Sequence, residues 1–359
     1  MLEGVHLTLM IGPAVPVPAP AAVVDALRSV QVTSGKDRSG FQLSFAVGKD
    51  SPLLTTMLPA GYFDPIVTRV VIIATVNGVP HVLMDGLITQ QEMSPGTEPG
   101  TSTLSITGED LSLAMDVVEM TIPYPGVPTA GQVALVLAKY AVFGIVPAVI
   151  PPFLPTAEIP LEHFDTQTTT DRAYLKALAK RVGFVFYVEP GPLPGASIAY
   201  FGPDIRLPIP QPALSIDMDG HTNVESLSFS LDGLAKKVTI VTILDPFTRK
   251  VPIPVPIPNI DIFRPPLGAR PTPPARVKFD NSIAKLKPDK AAEKIIGMML
   301  NNGLAISGSG SLDVVRYGQP LLSRRLVGVR GAGLAYDGLY CVDTVTHKIK
   351  RGEYKQSFT

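Results

Sequence analysis

The sequence is poor in charge, in cysteine and in tryptophan. Of its 359 residues only 17% are charged, against about 25% in ordinary globular chains. Lys plus Arg equals Asp plus Glu at 31 each, so no excess of charge points to nucleic acid or to an anionic membrane. A chain with so little charge is expected to bury much of its surface against other chains, although 37 prolines and 31 glycines also displace charged residues.

Cys341 is the only cysteine, which excludes disulfide scaffolds and cysteine-based metal sites and is compatible with a reducing cytoplasm. The N-terminus has no basic segment before its short apolar run, so no signal peptide is expected. The apolar segment 133–154 is nearly long enough to span a bilayer, but Lys139 and three prolines interrupt it. We expect a buried helix and an extended loop there, and no membrane insertion.

No grouping of residues points to catalysis. The five histidines are scattered, and the sequence has no HxH, HExxH, CxxC or GxSxG pattern, so a metal site or a serine-hydrolase elbow is not expected. Residues 162–165 (Glu-His-Phe-Asp) offer an acid–base pair, but surface polar residues explain them more simply. Residues 308–311 (Gly-Ser-Gly-Ser) lack a P-loop lysine and predict a turn, and His347 is expected on a solvated or interfacial face. We predict no enzyme activity, no metal and no cofactor.

Alternating apolar residues predict a first β region, residues 1–120. It opens with an apolar, proline-rich arm, and residues 41–47 then alternate as a half-buried strand. Asn77-Gly78 follows a β-branched run and is the strongest short hairpin signal. With the segments after it, this makes four or more antiparallel strands, which suggests a small barrel or sandwich.

Residues 121–215 predict an α/β insertion. Thr129 and Gln132 predict a capping box before a helix that ends at Gly144. Thr170 then caps a second helix, which Gly183 ends before a strand. The spacing of the residues predicts two faces for that helix. The apolar, buried face consists of Leu175, Leu178, Ala179 and Val182, and the opposite, solvated face carries Arg172, Lys176 and Lys180.

Strands resume in residues 216–359, the predicted second β domain. Its segment 245–276 is proline-rich, with Pro252, Pro254, Pro256 and Pro258 at every second position. Because proline lacks the N–H, this run cannot form a sheet interior and predicts an extended or polyproline-like arm, or an edge strand. A disordered surface loop is the alternative. The residues between the prolines are predicted to pack on a neighbouring protein: Val251, Ile253, Val255 and Ile257.

Several short motifs resemble the central hub proteins of contractile tails, which include phage late-control protein D, the myophage baseplate hub and the first part of type VI secretion spikes. The segment 83–89 resembles a strand near the start of the family's first half. The family's central helix–glycine–strand unit matches Asp171, Tyr174, Leu175, Leu178, Ala179, Arg181, Gly183, Phe184, Phe186 and Tyr187. Its closing motif matches Gly338, Tyr340, Val342, Val345, His347, Ile349, Gly352, Tyr354, Ser357 and Phe358. The long proline-rich arm and the end at Thr359 depart from the family.

The resemblance implies an α+β, mainly β fold, in which two tube-like antiparallel β-barrel domains (1–120 and 216–359) flank the inserted α/β domain (121–215). It implies a structural baseplate hub, a homotrimer that adapts the hexameric inner tube to a trimeric spike and meets wedge proteins. Such a hub assembles in the cytoplasm into a tail or injection particle. Tyr354 and Phe358 join the predicted interface residues. A cell-wall or glycan hydrolase, which needs a carboxylate pair, and a monomeric β-sandwich binding module remain alternatives.

Overall fold

A computed structural model describes residues 4–13, 15–36, 38–98, 101–152, 165–204, 210–235, 237–244, 252–257, 276–280, 283, 288–300 and 305–359. The fold is mainly β. Its strands in chain order are β1 (Val5–Pro13), β2 (Val17–Pro18), β3 (Leu27–Gly35), β4 (Gly40–Val47), β5 (Thr68–Val76), β6 (Val79–Ser94), β7 (Ser102–Asp110), β8 (Ile122–Tyr124), β9 (Ile145–Val149), β10 (Asp165–Gln167), β11 (Val185–Pro190), β12 (Ser197–Gly202), β13 (Gln211–Ser215), β14 (Ser226–Leu231), β15 (Lys237–Leu244), β16 (Pro252–Ile257), β17 (Arg276–Asp280), β18 (Ile306–Asp313), β19 (Leu326–Arg330), β20 (Gly338–Cys341), β21 (Thr344–Lys350) and β22 (Glu353–Phe358). Its helices are α1 (Ala21–Ala26), α2 (Thr129–Ala138), α3 (Asp171–Val182), α4 (Pro288–Leu300) and α5 (Val314–Tyr317).

One sheet contains eleven strands, in the order β14-β18-β22-β21-β3-β4-β7-β6-β5-β1-β2. The antiparallel pair β3–β21 joins strands from the two ends of the chain, with Val32 opposite His347 and Val30 opposite Ile349. The two β regions therefore share one sheet. Within the described residues no sheet closes on itself into a barrel, so the two separate barrels of the sequence analysis are not observed.

The N-terminal segment is part of this sheet and is not a free arm. β1 pairs with β5 along its whole length, from Val5 opposite Val76 to Pro13 opposite Thr68. The prediction of an arm was wrong because the second edge of β5 has backbone N–H and C=O groups that need partners, and β1 supplies them. The predicted hairpin is confirmed: Asn77 and Gly78 have positive φ angles of 50° and 81°, as a type I′ turn requires.

The α/β part of the chain packs around its own apolar cluster. The sheet β11-β12-β9 lies against α2 and α3, and the predicted residues Leu175, Leu178, Ala179 and Val182 are buried. Thr170 caps α3 by accepting a hydrogen bond from the Ala173 N–H at 3.3 Å. Gly183 ends it at φ 74°. Both end signals are confirmed.

The predicted capping box at Thr129 was wrong. Pro128 is the N-cap of α2, and the Gln132 side chain is buried and donates to the Val127 carbonyl at 2.8 Å. The helix ends at Ala138, and a short 3₁₀ turn then leads to Gly144 at φ 73°. In the part of the chain that the structure describes, no helix is long and apolar enough to cross a membrane.

Residues 308–311 form part of β18, where a turn was expected. Gly308 lies opposite Phe229 of β14, and Gly310 lies opposite Leu227 of β14 and Phe358 of β22. A Cβ on Gly310 would stand 2.7 Å from the Phe358 ring. Glycine in this strand leaves room for aromatic rings of the adjacent strands, a use that sequence alone does not distinguish from a turn.

The proline-rich segment 252–257 is β16, an edge strand of the sheet β16-β15-β17. Its position at the edge of the sheet confirms the prediction of an edge strand. Helix α4 packs on one face of this sheet, in a small apolar cluster that includes Val241 and Ile257. Val251 and Pro258 lie outside the described residues.

Candidate functional site

The eleven-stranded sheet has one face that is polar across the strands from β14 to β6. Residues that are directly paired share a face of a sheet, so the register alone assigns this set. We call it the polar face. Its polar members are Ser226, Ser228 and Ser230 of β14; Ser307, Ser309, Ser311 and Asp313 of β18; Glu353, Lys355 and Ser357 of β22; Thr344, Thr346, Lys348 and Lys350 of β21; Ser29, Gln31 and Thr33 of β3; Gln42 and Ser44 of β4; Thr103, Ser105, Thr107 and Glu109 of β7; and Gln90, Glu92 and Ser94 of β6.

The polar face is hydroxyl- and amide-rich, and its charges balance. Its residues are exposed or half-buried, whereas the residues between them are mostly core. Serine hydroxyls of β14 and β18 bond to each other across the strands, Ser226 to Ser311 at 2.8 Å and Ser228 to Ser309 at 2.9 Å. Across the β3–β21 join, the Thr33 and Thr346 hydroxyls are 3.2 Å apart. Lys348, Lys350 and Lys355 are matched in number by Glu92, Asp313 and Glu353. The fourth acid of this face, Glu109, forms ion pairs with Arg38 and Arg172.

Such a surface stays hydrated without attracting a polymer of either sign. Neutral hydroxyl and amide groups exchange hydrogen bonds with water, and the balanced charges create no large field. The face is also continuous through the β3–β21 pair, so it includes strands from both β regions. No chemistry beyond hydration and hydrogen bonding follows from these residue types.

Buried ionic contacts hold the α/β part against the sheet. The Arg69 guanidinium binds Asp85 through two bonds, Nε to Oδ1 at 2.7 Å and Nη2 to Oδ2 at 2.6 Å. Both side chains are almost inaccessible, at 4% and 0% exposure. Arg69 also donates to the Gly195 carbonyl at 3.0 Å, and the Ser197 hydroxyl donates to Asp85 at 3.1 Å. Asp85 lies in the segment 83–89 that resembles the family strand, whereas Arg69 lies on the neighbouring β5. Neither residue was singled out as a charged site from sequence.

The charged side of α3 is only partly solvated, in contrast to the expectation. Arg172 is buried and bonds to Glu109 at 3.0 Å, which ties α3 to the end of β7. Asp171 is also buried. Burial alone would raise its pKa, but hydrogen bonds from Lys139, Tyr140 and Gln167 hold the pKa below its usual value. The spacing predicted the apolar face correctly, but it could not reveal which charged side chains meet a second element.

The predicted interface residues differ in how deeply they are buried. Val251 lies outside the described residues. Ile253 and Val255 are exposed at 42% and 36%, so their interface role stays a prediction, whereas Ile257 is buried against α4. Tyr354 and Phe358 are buried in the chain's own core at 0% and 6%, so their assignment to an interface was wrong. Strand alternation identified the apolar face of β22, but the rest of the chain covers it.

His347 is buried, not solvated or interfacial as expected. Its ring is 2% exposed, and Nδ1 lies 2.8 Å from the Tyr354 hydroxyl and 3.0 Å from Nε2 of Gln356. Because the glutamine amide donates, Nδ1 accepts and the ring is neutral. Burial, with a smaller contribution from the charge of His81, lowers the pKa of His347 to about 3.

This pKa predicts a loss of stability in acid. The unfolded chain binds a proton at His347 below a pKa of about 6.5, but the folded chain does so only near pH 3. The stabilisation is therefore complete above pH 6.5 and is lost as the pH falls toward 3, at up to about 1.4 kcal/mol per pH unit. Denaturant unfolding between pH 4 and 7 should show a loss of stability that is steeper in the wild type than in His347→Gln, by up to this slope. Burial also lowers the pKa of His81, which contributes to the loss in both proteins. His221→Gln, at an exposed histidine, is the control and should retain the wild-type slope.

The acid–base pair considered in residues 162–165 is only partly described. Glu162 and His163 lie outside the described residues. Asp165 accepts hydrogen bonds from Arg181 on both carboxylate oxygens, each at 2.9 Å, and one from Gln132 at 3.3 Å. Its oxygens are thus occupied by structural donors. Across the described ranges, no three His, Cys, Asp or Glu residues form a group that could hold a metal ion.

Comparison with solved structures identifies the fold. A tail protein from Neisseria meningitidis MC58 superposes with a TM-score of 0.60 at 15% identity, over 99% of this chain and 95% of the other. The 43 kDa tail protein of prophage MuSo2 from Shewanella oneidensis gives 0.61 at 11% identity, over 99% and 97%. The E. coli c3393 protein gives 0.53 at 9% identity, over 92% and 72%; it is a component of the type VI secretion system with structural similarity to T4 tail proteins gp27 and gp5. No protein-family model and no curated protein matches the chain. The fold is therefore that of phage tail proteins.

Proposed function

We propose that this chain, which has the fold of phage tail proteins, is a structural baseplate hub of a contractile injection particle. Three copies form a ring around a channel, and the polar face lines that channel. The ring adapts a hexameric inner tube to a trimeric spike and meets wedge proteins at its periphery. In this proposal residues 1–120 and 216–359 supply two tube-like units per chain, and the inserted α/β domain, residues 121–215, lies outside them. The protein assembles in the cytoplasm and acts without bond chemistry.

The observation that carries the proposal is the continuous polar face. A channel wall must stay wet and must not retain what passes, and a surface rich in hydroxyl and amide groups whose few charges are of both signs meets both needs. The likeness to tail proteins over nearly the whole chain supports the same role. The low content of charged residues supports large buried interfaces, because the interfaces of obligate assemblies are more apolar.

The mass of the assembly in solution tests whether the chains form a threefold ring. Light scattering of the purified full chain, alone and mixed with a candidate spike protein, is expected to give three chains or a multiple of three, or a complex of hubs and spikes in equal number. A hub must match a threefold partner, and only a multiple of three chains can do so. A monomer that does not bind the spike protein would overturn the hub and favour the surface-binding module.

Thiol labelling tests which face lines the channel. In a Cys341→Ser background, Ser105→Cys or Gln31→Cys places a thiol on the polar face, and Leu334→Cys places one at a side chain that is 92% exposed elsewhere. In the ring, a small maleimide is expected to label all three, but a bulky polymer-linked maleimide only Leu334→Cys, because the channel excludes it. Equal labelling by the bulky reagent would show that the polar face lies on the outside.

A further inference from the structure

The sheet β16-β15-β17 has an uncovered apolar face. α4 packs on the side that carries Val241 and Ile257, and the register places a second set of side chains on the other side. That second set contains no charge and a single hydroxyl group: Val238, Ile240, Thr242, Pro254, Pro256, Val277 and Phe279. Val277 and Phe279 are 59% and 67% exposed. An apolar patch of this kind marks a contact with another molecule.

The two edges of this sheet are not equivalent. At the β16 edge, prolines occupy every second position and have no N–H to offer a further strand. At the other edge, β17 contains no proline, and no other described strand pairs with its outer side. A strand can therefore add to this sheet at β17 and not at β16.

The sequence of β17, Arg-Val-Lys-Phe-Asp, is complementary to itself in the antiparallel direction. With two copies centred on Lys278, Arg276 lies opposite Asp280 of the partner subunit, and Val277 lies opposite Phe279 of the partner subunit. By symmetry each of these pairs occurs twice. The two central lysines oppose each other, but each has Asp280 of its own chain within 3.6 Å. Opposite charges and apolar pairs across strands both stabilise an antiparallel ladder.

We propose that β17 is a docking edge for a second copy of this chain, which pairs with it about a twofold axis. The result is a six-stranded sheet that places Val277 and Phe279 of both copies side by side. The proline edges of β16 then lie at both ends of the joined sheet, so that growth stops at two copies and does not continue into a fibre. This contact is separate from the threefold ring and does not depend on it.

A charge swap tests the pairing. In sedimentation velocity of the full chain, Arg276→Asp and Asp280→Arg each place like charges opposite each other twice, and we expect the dissociation constant of the pair to rise at least about tenfold. At a concentration between the two dissociation constants, the mean mass should then fall toward half that of the paired wild type. The combined variant restores opposite charges and should restore the wild-type mass. Arg330→Glu, at an exposed arginine of β19, is the control and should leave the mass unchanged.

Three results would overturn the proposal: a wild-type mass equal to that of both single variants, a combined variant that stays at half mass, or halving by Phe279→Ser when Arg276→Asp and Asp280→Arg both keep the wild-type mass. The last would mean that the apolar faces stack without strand pairing. Halving is expected whether the rest of the chain forms rings of three or remains single. Failure of this contact can therefore be told apart from failure of the ring.

Discussion

Asp85→Ala is expected to lower the free energy of unfolding by about 3–5 kcal/mol. The substitution removes both hydrogen bonds that Asp85 accepts from the Arg69 guanidinium, whose side chain is buried at 4% exposure. A buried charge without its counter-ion costs far more than the pair itself contributes, because its hydration is not replaced. Urea unfolding followed by circular dichroism measures the loss.

A double substitution distinguishes the contribution of the ion pair itself from the cost of a buried charge that has lost its counter-ion. Arg69→Met combined with Asp85→Leu removes both charges and keeps apolar volume, so we expect it to recover most of the stability that Asp85→Ala loses. Arg38→Ala is the matched control, since its bond to Glu109 at 3.1 Å is made by a side chain that is 79% exposed. That control should cost no more than about 0.5 kcal/mol. A cost below about 1 kcal/mol for Asp85→Ala would show that the pair is not dehydrated.

Tyr354→Ala and Phe358→Ala are each expected to destabilise the folded chain by about 3–5 kcal/mol. Both side chains belong to the main core, and the Tyr354 hydroxyl also bonds to His347 at 2.8 Å. Truncation removes apolar contacts and leaves a cavity that the sheet cannot fill. For Tyr354 it also removes a buried hydrogen-bond partner, so Tyr354→Phe should cost only about 1 kcal/mol.

Ile253→Ala is the comparison that distinguishes a side chain in the core from a side chain at an interface. Ile253 is exposed on β16, and its truncation should change the free energy of unfolding by less than about 0.5 kcal/mol. If Tyr354→Ala or Phe358→Ala left the unfolding transition unchanged and altered only the subunit mass, the interface assignment would be right and the burial in the chain's own core would be wrong.

Local features of this protein were predictable because their causes are local. The Asn77-Gly78 turn, the Thr170 cap and the Gly183 stop depend on residues a few positions apart, and all three are confirmed. Alternation in β4 and in the strand after Gly183 likewise gave the correct buried set, since the period of a strand is independent of what covers it. The resemblance also led to a mainly β fold of the phage tail protein type, through motifs that include the Gly183 stop, but not to the single sheet that joins the two β regions.

The sequence by itself determined which residues alternate, where helices start and stop, and that charge is scarce and balanced. Only the tertiary structure decided what covers each face. It buries Tyr354, Phe358 and His347, whose strand pattern alone was equally compatible with an interface, and it pairs Arg69 with Asp85. It also brings Thr33 and Thr346 together across 313 residues, which makes one polar face from two ends of the chain. Strand pairing over such a separation depends on the packing of the whole sheet, so a local sequence pattern does not predict it.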